Sequence, residues 1–318
     1  MKPLIILTGP TAVGKTELSI ALAKAVNGEI ISADSMQVYK YMDIGTAKIS
    51  PEEMQGVPHH LIDILEPDTA FNVTMFQKLA REALQGIYER GKIPVVVGGT
   101  GFYIQALLYD IDFSEETGDM SVRKALERLA AERGPEYLHE ALAKVDPESA
   151  EQIHANNVKR VIRALEYYRM HGEKISLHNE NERQKKSPYD FFYFVLTHDR
   201  QVLYDRIEKR IDLMVRQGLI EEVRGLMEKG YDRSLVSMQG LGYKEIIPYL
   251  SGEYTLDEAI YVLKRDTRHF AKRQLTWFRR ERDVQWLDKS RMSSENEILN
   301  EILSRIHREW SFTNERNV

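Results

Sequence analysis

Near the start of the chain, Gly9-Pro10-Thr11-Ala12-Val13-Gly14-Lys15-Thr16 fits the pattern G-x-x-x-x-G-K-[ST] without a gap. Glycines at those positions let the backbone curl so that successive N–H groups point inward, onto phosphate. Lys15 adds a point charge for the terminal phosphate oxygens, and the Thr16 hydroxyl is the group that ligates Mg²⁺ in such loops. The loop therefore speaks for a bound diphosphate or triphosphate. A second candidate is Asp34, in Ser32-Ala33-Asp34-Ser35-Met36-Gln37-Val38-Tyr39. A carboxylate close to a phosphate binds it poorly, because like charges repel, but it is suited to taking a proton from an attacking acceptor. The third is Gly98-Gly99-Thr100-Gly101, where small residues permit close backbone approach and Thr100 offers a hydroxyl that both donates and accepts. Singly, these are a glycine-rich turn, a capping Asp and a strand-to-helix turn. Together they make a transferase pocket.

The elements that must carry them are legible as periodicity. Leu4 to Leu7 is a continuous apolar run of strand length, and it leads into the loop. Thr16 to Val26 repeats its apolar residues at helical spacing, and Glu29 to Ala33 reads as a second strand. Met75 to Arg90 is an amphipathic helix, stopped by Gly91 and followed by the buried strand Ile93 to Val97. Near-continuous apolar strands alternating with helices predict a parallel sheet covered on both faces. In such sheets the strand C-termini face the ligand crevice, so the phosphate loop, Asp34 and Thr100 belong on one rim. A motor or switch NTPase would carry an acid at the end of a later core strand to hold Mg²⁺ through water. The strand Val95-Val96-Val97 ends instead in Gly98-Gly99, which argues against nucleotide hydrolysis.

After Phe113 the pattern changes. Ser121 to about His171 shows only helical spacing, with breaks at Gly134-Pro135 and Asp146-Pro147, and Gly172 closes the last helix. A polar stretch, Asn179 to Ser187, precedes an aromatic-rich strand, Tyr189 to Leu196, and the remainder reads as largely helical. The expected fold class is thus α/β: a P-loop NTPase-like parallel sheet core flanked by helices, with an all-helical insertion and a helical C-terminal part. Residues 1–113 and 189–310 would form the core, 114–188 the insertion, and 311–318 a loose tail.

Bulk properties set limits. The chain has no cysteine, which excludes disulfides and thiolate chemistry and suits a reducing cytoplasm. No stretch approaches the roughly 18 apolar residues of a membrane span, so a soluble protein is expected. The net charge of −5 argues mildly against a nucleic-acid partner. The distribution argues the other way: Lys264 to Arg282 holds eight Lys or Arg and two acids. Lys264, Arg268 and Lys272 recur at four-residue steps, as do Arg265, His269 and Arg273, making adjoining basic stripes suited to a phosphate backbone. Trp277 and Phe278 read as core, and His59-His60, lacking a further ligand, as structural.

These blocks resemble the tRNA dimethylallyltransferases, also called tRNA isopentenyltransferases. The likeness rests on the loop, on Asp34 to Tyr39, Gly98 to Tyr103, Arg160 to Glu166, Gly242-Tyr243-Lys244-Glu245 and Lys272 to Arg279, in that order, and runs from Pro3 to about Leu287. It implies transfer of dimethylallyl from dimethylallyl diphosphate to N6 of the adenine at position 37 of tRNA. The loop then holds a leaving diphosphate with Mg²⁺ on Thr16, although such loops also carry an ATP-binding label. Asp34 would take the N6 proton, Thr100 would contact the base or leaving group, and Gln37 has the amide pattern that reads an adenine edge. Base flipping is implied, through a channel that admits the base from one side and the diphosphate from the other. By the same likeness tRNA would touch Asp34, Ser35, Met36, Gln37 and Thr100, then Arg123, Lys159, Arg160 and Arg163, then Gln239, Tyr243 and Lys244. The insertion would meet the anticodon region, and one molecule supplies the whole site, so a monomer is expected. Three other readings stay open from the residues alone: a small-molecule kinase, an isopentenyltransferase acting on free adenine nucleotides, and an RNA-binding protein with a relic loop.

Overall fold

The computed structural model describes residues 1–111 and 121–310. In chain order the elements are β1 (Lys2–Thr8), α1 (Lys15–Ala25), β2 (Gly28–Ser32), β3 (His59–His60), α2 (Val73–Glu89), β4 (Ile93–Gly98) and α3 (Gly101–Leu108). Then come α4 (Ser121–Arg133), α5 (Pro135–Val145), α6 (Pro147–Gln152), α7 (Val158–His171) and α8 (Ile175–Gln184). The chain closes with β5 (Tyr189–Thr197), α9 (Arg200–Gln217), α10 (Leu219–Glu228), α11 (Tyr243–Leu250), α12 (Leu256–Phe278), β6 (Val284–Asp288) and α13 (Glu295–Glu309). It divides into two compact units, one of residues 1–107 and 188–318 and one of Leu108–Ser187, against the expected insertion of 114–188. The expected boundary at 113 and the tail 311–318 lie outside the described residues.

The first unit is built on a six-stranded sheet in the order β3-β2-β4-β1-β5-β6, with parallel pairing throughout. This is the expected α/β class. Leu4, Ile5, Ile6 and Leu7 are essentially inaccessible, as a strand covered on both faces must be. Chain order reverses across β1, which has β4 on one side and β5 on the other, so the crevice opens beyond its C-terminal end. Helix starts follow their caps. Asn72 accepts the Met75 N–H and begins α2 two residues earlier than periodicity suggests, and Thr255 with Glu258 forms a capping box on α12.

Three elements depart from the sequence reading. Strand β6 lies in the stretch read as helical; Val284 to Asp288 is a short edge strand whose signal is swamped by the basic run before it. The two-residue β3 is set by pairing alone, Ile30 with His59 and Ile31 with His60. The third is α8, which covers much of the polar stretch Asn179 to Ser187. The histidine pair is structural, as expected. His60 meets the buried Glu29 at 2.7 Å, beside Arg90 at 2.7 Å. The Arg90 hydrogen bonds bring the Glu29 carboxyl down to about 2, against the opposing effect of burial. Among the described residues no helix is long and apolar enough to cross a membrane.

The second unit is helical and has its own core of Leu126, Leu138, Leu142, Val161 and Leu165. Its keystone is polar. Asp146 is fully buried and accepts four hydrogen bonds: from the Ser149 amide at 3.1 Å and hydroxyl at 2.7 Å, and from the Ser176 amide at 3.0 Å and hydroxyl at 2.7 Å. One carboxylate therefore starts α6 and ties in α8. Burial alone would raise its pKa, but the four donors overturn that and hold it below the ordinary value. Such a carboxylate contributes stability above the unfolded pKa and loses it as pH falls through the folded one. Asp146→Ala leaves these donors unpaired and is expected to cost about 3 kcal/mol. Amide hydrogen exchange over residues 135–184 measures this directly; protection equal to that of the wild type would refute the keystone role.

Candidate active site

The phosphate loop joins β1 to α1. Gly14 is the N-cap residue of α1, with φ 91°, and Ala12 holds φ 62°, a left-handed conformation unusual for a residue with a Cβ. Val13 is buried and pins the loop, while Thr16 stands exposed in the first turn of α1. Lys15 is half-buried and folds back, donating to the carbonyls of Gly9 at 2.9 Å and Pro10 at 2.8 Å. Its pKa is brought down to about 7, chiefly by burial and then by the Arg210 guanidinium, with the Asp34 carboxylate opposing.

Arg210, a half-buried cation acting on Lys15, is a candidate that sequence reasoning missed. It lies on α9, whose buried stripe is Leu203, Ile207, Ile211 and Met214. Arg206 and Arg210 stand one turn apart beside that stripe, and Arg206 donates to the Val13 carbonyl at 3.5 Å. Burial lowers the pKa of Arg210 while Asp34 opposes, so this cation faces the same space as Lys15. Two basic residues at i, i+4 flanking an apolar stripe were the signal available in the sequence.

Asp34 and Thr100 are brought together by backbone. The Ala33 amide donates to the Val97 carbonyl at 2.8 Å, and the Thr100 amide donates to the Ala33 carbonyl at 3.2 Å. The residue just before Asp34 is thereby bonded to Thr100. The approach requires glycine at 98, since a Cβ there would sit 2.2 Å from the Ala33 oxygen. Asp34 is half-buried, and its Oδ1 accepts the amides of Met36 at 2.8 Å and Gln37 at 3.2 Å, which fixes the carboxylate plane. Behind it, Tyr103 stacks on Phe76 with ring centroids 4.6 Å apart and meets Phe71 edge-on at 5.6 Å. The Tyr103 hydroxyl is pushed up by burial, then by Tyr39 and Asp34, so it stays neutral.

The remaining candidate residues separate by exposure. Ser35, Met36 and Gln37 are half-buried, and Gln37 gives its NH₂ to the carbonyls of Thr46 at 3.3 Å and Ala47 at 3.2 Å. Its amide oxygen is the part left to read a base. A Cβ on Gly240 would sit 2.4 Å from the Met36 methyl, so the segment Gln239 to Lys244 packs against the Asp34 loop. Gln239 is exposed and donates to the Arg233 carbonyl, and Lys244 is half-buried, 3.6 Å from Glu245. Tyr243, expected among the tRNA contacts, turns its side chain inward. It is fully buried, and its hydroxyl donates to Glu222 at 2.7 Å. Glu222 also accepts the amides of Asp43, Ile44 and Gly45, so Tyr243 supports a loop from behind.

In the helical unit, Lys159, Arg160 and Arg163 are exposed on α7, while Val161, Ile162 and Leu165 turn inward. Arg123 is half-buried and holds Glu166 through Nε at 3.1 Å and Nη2 at 2.6 Å. On α12 the basic stripes are partly neutralised: Lys264 by Asp212, Arg265 by Asp266 and Arg268 by Glu208. His269, Lys272, Arg273, Thr276, Trp277 and Arg280 instead line a surface hollow of about 390 Å³. Phe278 is in the core as expected, whereas Trp277 is half-buried and borders the hollow.

A glycine-rich G-x-x-x-x-G-K-T loop between β1 and α1 of a parallel sheet, with Asp34 and Thr100 joined on the same rim, defines a P-loop protein of the group-transfer class. Comparison with known proteins narrows the class. A family model described as IPP transferase matches residues 37–281, and one described as isopentenyl transferase matches residues 2–66. The chain is 62% identical to a tRNA dimethylallyltransferase of Lachnoclostridium phytofermentans, over 95% of this chain and 97% of that one. The full-length tRNA isopentenylpyrophosphate transferase from Bacillus halodurans matches at 46% identity with a TM-score of 0.73, covering 97% of this chain and 98% of that one. A eukaryotic dimethylallyltransferase acting on tRNA matches at 30% identity with a TM-score of 0.84, covering 97% and 80% respectively. The chain belongs to the IPP transferase family, the tRNA dimethylallyltransferases.

The Lys15 environment yields a pH prediction. Free Lys15, at about 7, is mostly neutral at pH 8, and a bound diphosphate restores its charge. Through Lys15, diphosphate binding should therefore take up more protons at about pH 8 than at about pH 6. Calorimetry in buffers of different ionisation enthalpy reads this; uptake that persists in Lys15→Met would show that another group is responsible.

Proposed function

We propose that the chain transfers a dimethylallyl group from dimethylallyl diphosphate to N6 of adenine 37 in tRNA, releasing diphosphate. The carrying observation is the Ala33–Thr100 hydrogen bond, which joins the backbone just before Asp34 to Thr100 at the rim after the sheet; the reading takes Asp34 as base and Thr100 as its neighbouring hydroxyl. The family membership supports the same reading along nearly the whole chain.

The chemistry follows from the residues. The loop amides, Lys15 and Arg210 stabilise charge building on the leaving diphosphate as the allylic C–O bond breaks. Adenine N6 is a weak nucleophile because its lone pair is delocalised into the ring. Asp34 accepts an N6 proton while the C–N bond forms, and Thr100 orients the amine. The target base must leave its stack to reach this depth. Met36, Gln37 and the segment Gln239 to Lys244 stand where they can hold it, and the exposed cations of α7 and the α12 hollow suit the RNA backbone. A divalent cation fits the donor set: the Thr16 hydroxyl is exposed and meets no hydrogen-bond partner among the described residues. Thr16 would hold Mg²⁺ there, and the ion would supply Lewis-acid neutralisation of the leaving group. One chain supplies every residue in this scheme, so a monomer suffices.

The test is transfer from radiolabelled dimethylallyl diphosphate to unmodified tRNA, AMP and ATP offered separately. Label is expected only in tRNA, at the adenine beside the anticodon; label in AMP or ATP would overturn the acceptor assignment. Asp34→Asn should lower kcat by about a thousandfold, in the range of a lost general base. It should leave diphosphate affinity nearly unchanged, whereas Lys15→Ala should weaken that affinity markedly. Equal weakening in both variants would remove Asp34 from the role of base.

A further inference from the structure

Helix α12 supplies none of the reacting groups above, yet one of its side chains lies between them. Gln274 is 6% exposed. Its Oε1 accepts the Thr11 amide at 2.9 Å, inside the phosphate loop. Its Nε2 donates to the Gly99 carbonyl at 2.9 Å, the residue before Thr100. A backbone N–H only donates and a backbone C=O only accepts, so the amide has one permitted orientation.

The surroundings are shaped for this contact. A Cβ on Gly99 would lie 2.2 Å from the Gln274 nitrogen. Trp277, one turn further along α12, rests on Gly101, where a Cβ would lie 2.2 Å from its ring. Thr100 is thus gripped on both sides by glycines that receive α12. Strand pairing ends at Thr8 and Gly98, where the Thr8 hydroxyl also donates to the Gly98 carbonyl at 2.6 Å; Gln274 links the loop and the rim beyond that point.

We infer that Gln274 is a positioning residue that fixes the distance between the diphosphate loop and the Thr100 rim, and so the alignment of leaving group and acceptor. The inference rests on the transfer reading above for its consequence, though not for its geometry. In a displacement at an allylic carbon, the leaving oxygen, the carbon and the attacking nitrogen must lie in line. A misplacement of about 1 Å costs on the order of a hundredfold in rate. Because the strut touches neither substrate, its loss should appear in kcat more than in KM.

Two variants separate this role from packing. Gln274→Met keeps length and volume but makes neither bond. It should lower kcat by about tenfold to a hundredfold, with both KM values within about threefold of wild type. Gln274→Glu keeps the acceptor for Thr11 but, when ionised, sets an oxygen against the Gly99 carbonyl. Protonated, it donates to that carbonyl as glutamine does. Its kcat relative to wild type should therefore rise as pH falls from about 8 to about 6, a change that lost packing would not produce. A ratio flat across pH, or a Gln274→Met enzyme with wild-type kcat, overturns the role. Amide hydrogen exchange keeps this test apart from the function itself. Gln274→Met should speed exchange in the Thr8–Val13 segment whether or not the chain prenylates tRNA. A wild-type chain that fails to transfer counts against the function and leaves the strut standing, whereas unchanged exchange removes the strut.

Discussion

The chemistry of this molecule depends on three parallel strands ending at one level. Pairing sets Thr8 beside Gly98, and Ser32 beside Val97. From those fixed ends the chain can supply a phosphate cradle, a base and a hydroxyl within a few residues of each other. The constraint is strict because the next contact, Ala33 to Thr100, runs over a glycine with no room for a methyl group. Parallel pairing therefore carries the register, and the glycines of the rim convert it into closeness. Neither would suffice alone: a slipped strand would move Asp34 away, and a bulkier rim would hold the strands' outflow apart.

Electrostatics then give the site its direction. Lys15 and Arg210 share a space with one carboxylate, Asp34, and each cation is disfavoured by burial. Lys15 donates to the Gly9 and Pro10 carbonyls, and burial favours its neutral form. In the proposed reaction a diphosphate would supply negative charge and favour both cations at once. The same charge would repel Asp34, which is held apart from the loop's amides by its own turn through Met36 and Gln37. The rim thus sets two half-buried cations on the loop side and a carboxylate held by its own turn on the other, the arrangement that the proposed transfer uses.

Much of this was legible in the sequence. The phosphate loop, Asp34 and Thr100 follow apolar runs that can only be buried strands, and the rule for strand C-termini then brings them together. What stayed hidden has physical causes. Arg210 gains its place from the packing of α9, and a helix presents many arginines that sequence cannot rank. β6 is too short, and too close to a basic run, for periodicity to show. Tyr243 sits in a motif whose neighbours face outward, and only its burial and its bond to Glu222 reveal that it works from inside. Gln274 is a polar residue in a basic block, and nothing in its spacing says that it alone turns inward to two backbones.

That last case explains how a chain of net charge −5 is compatible with an RNA partner. The basic stripes of α12 do two separate jobs. Lys264, Arg265 and Arg268 are matched by carboxylates of α9 and of α12 itself, so they hold the helix in place. Lys272, Arg273 and Arg280 open onto a hollow and keep their positive field. Between these outward cations Gln274 turns inward to Gly99, and Trp277, at the border of the hollow, rests on Gly101. The helix therefore presents positive charge on one face and sets the site's spacing with the other. A phosphate backbone binding at the hollow would bear on the same turn that braces the Thr100 rim. An acidic overall balance is no obstacle, because association depends on the local field over the few turns that meet the partner.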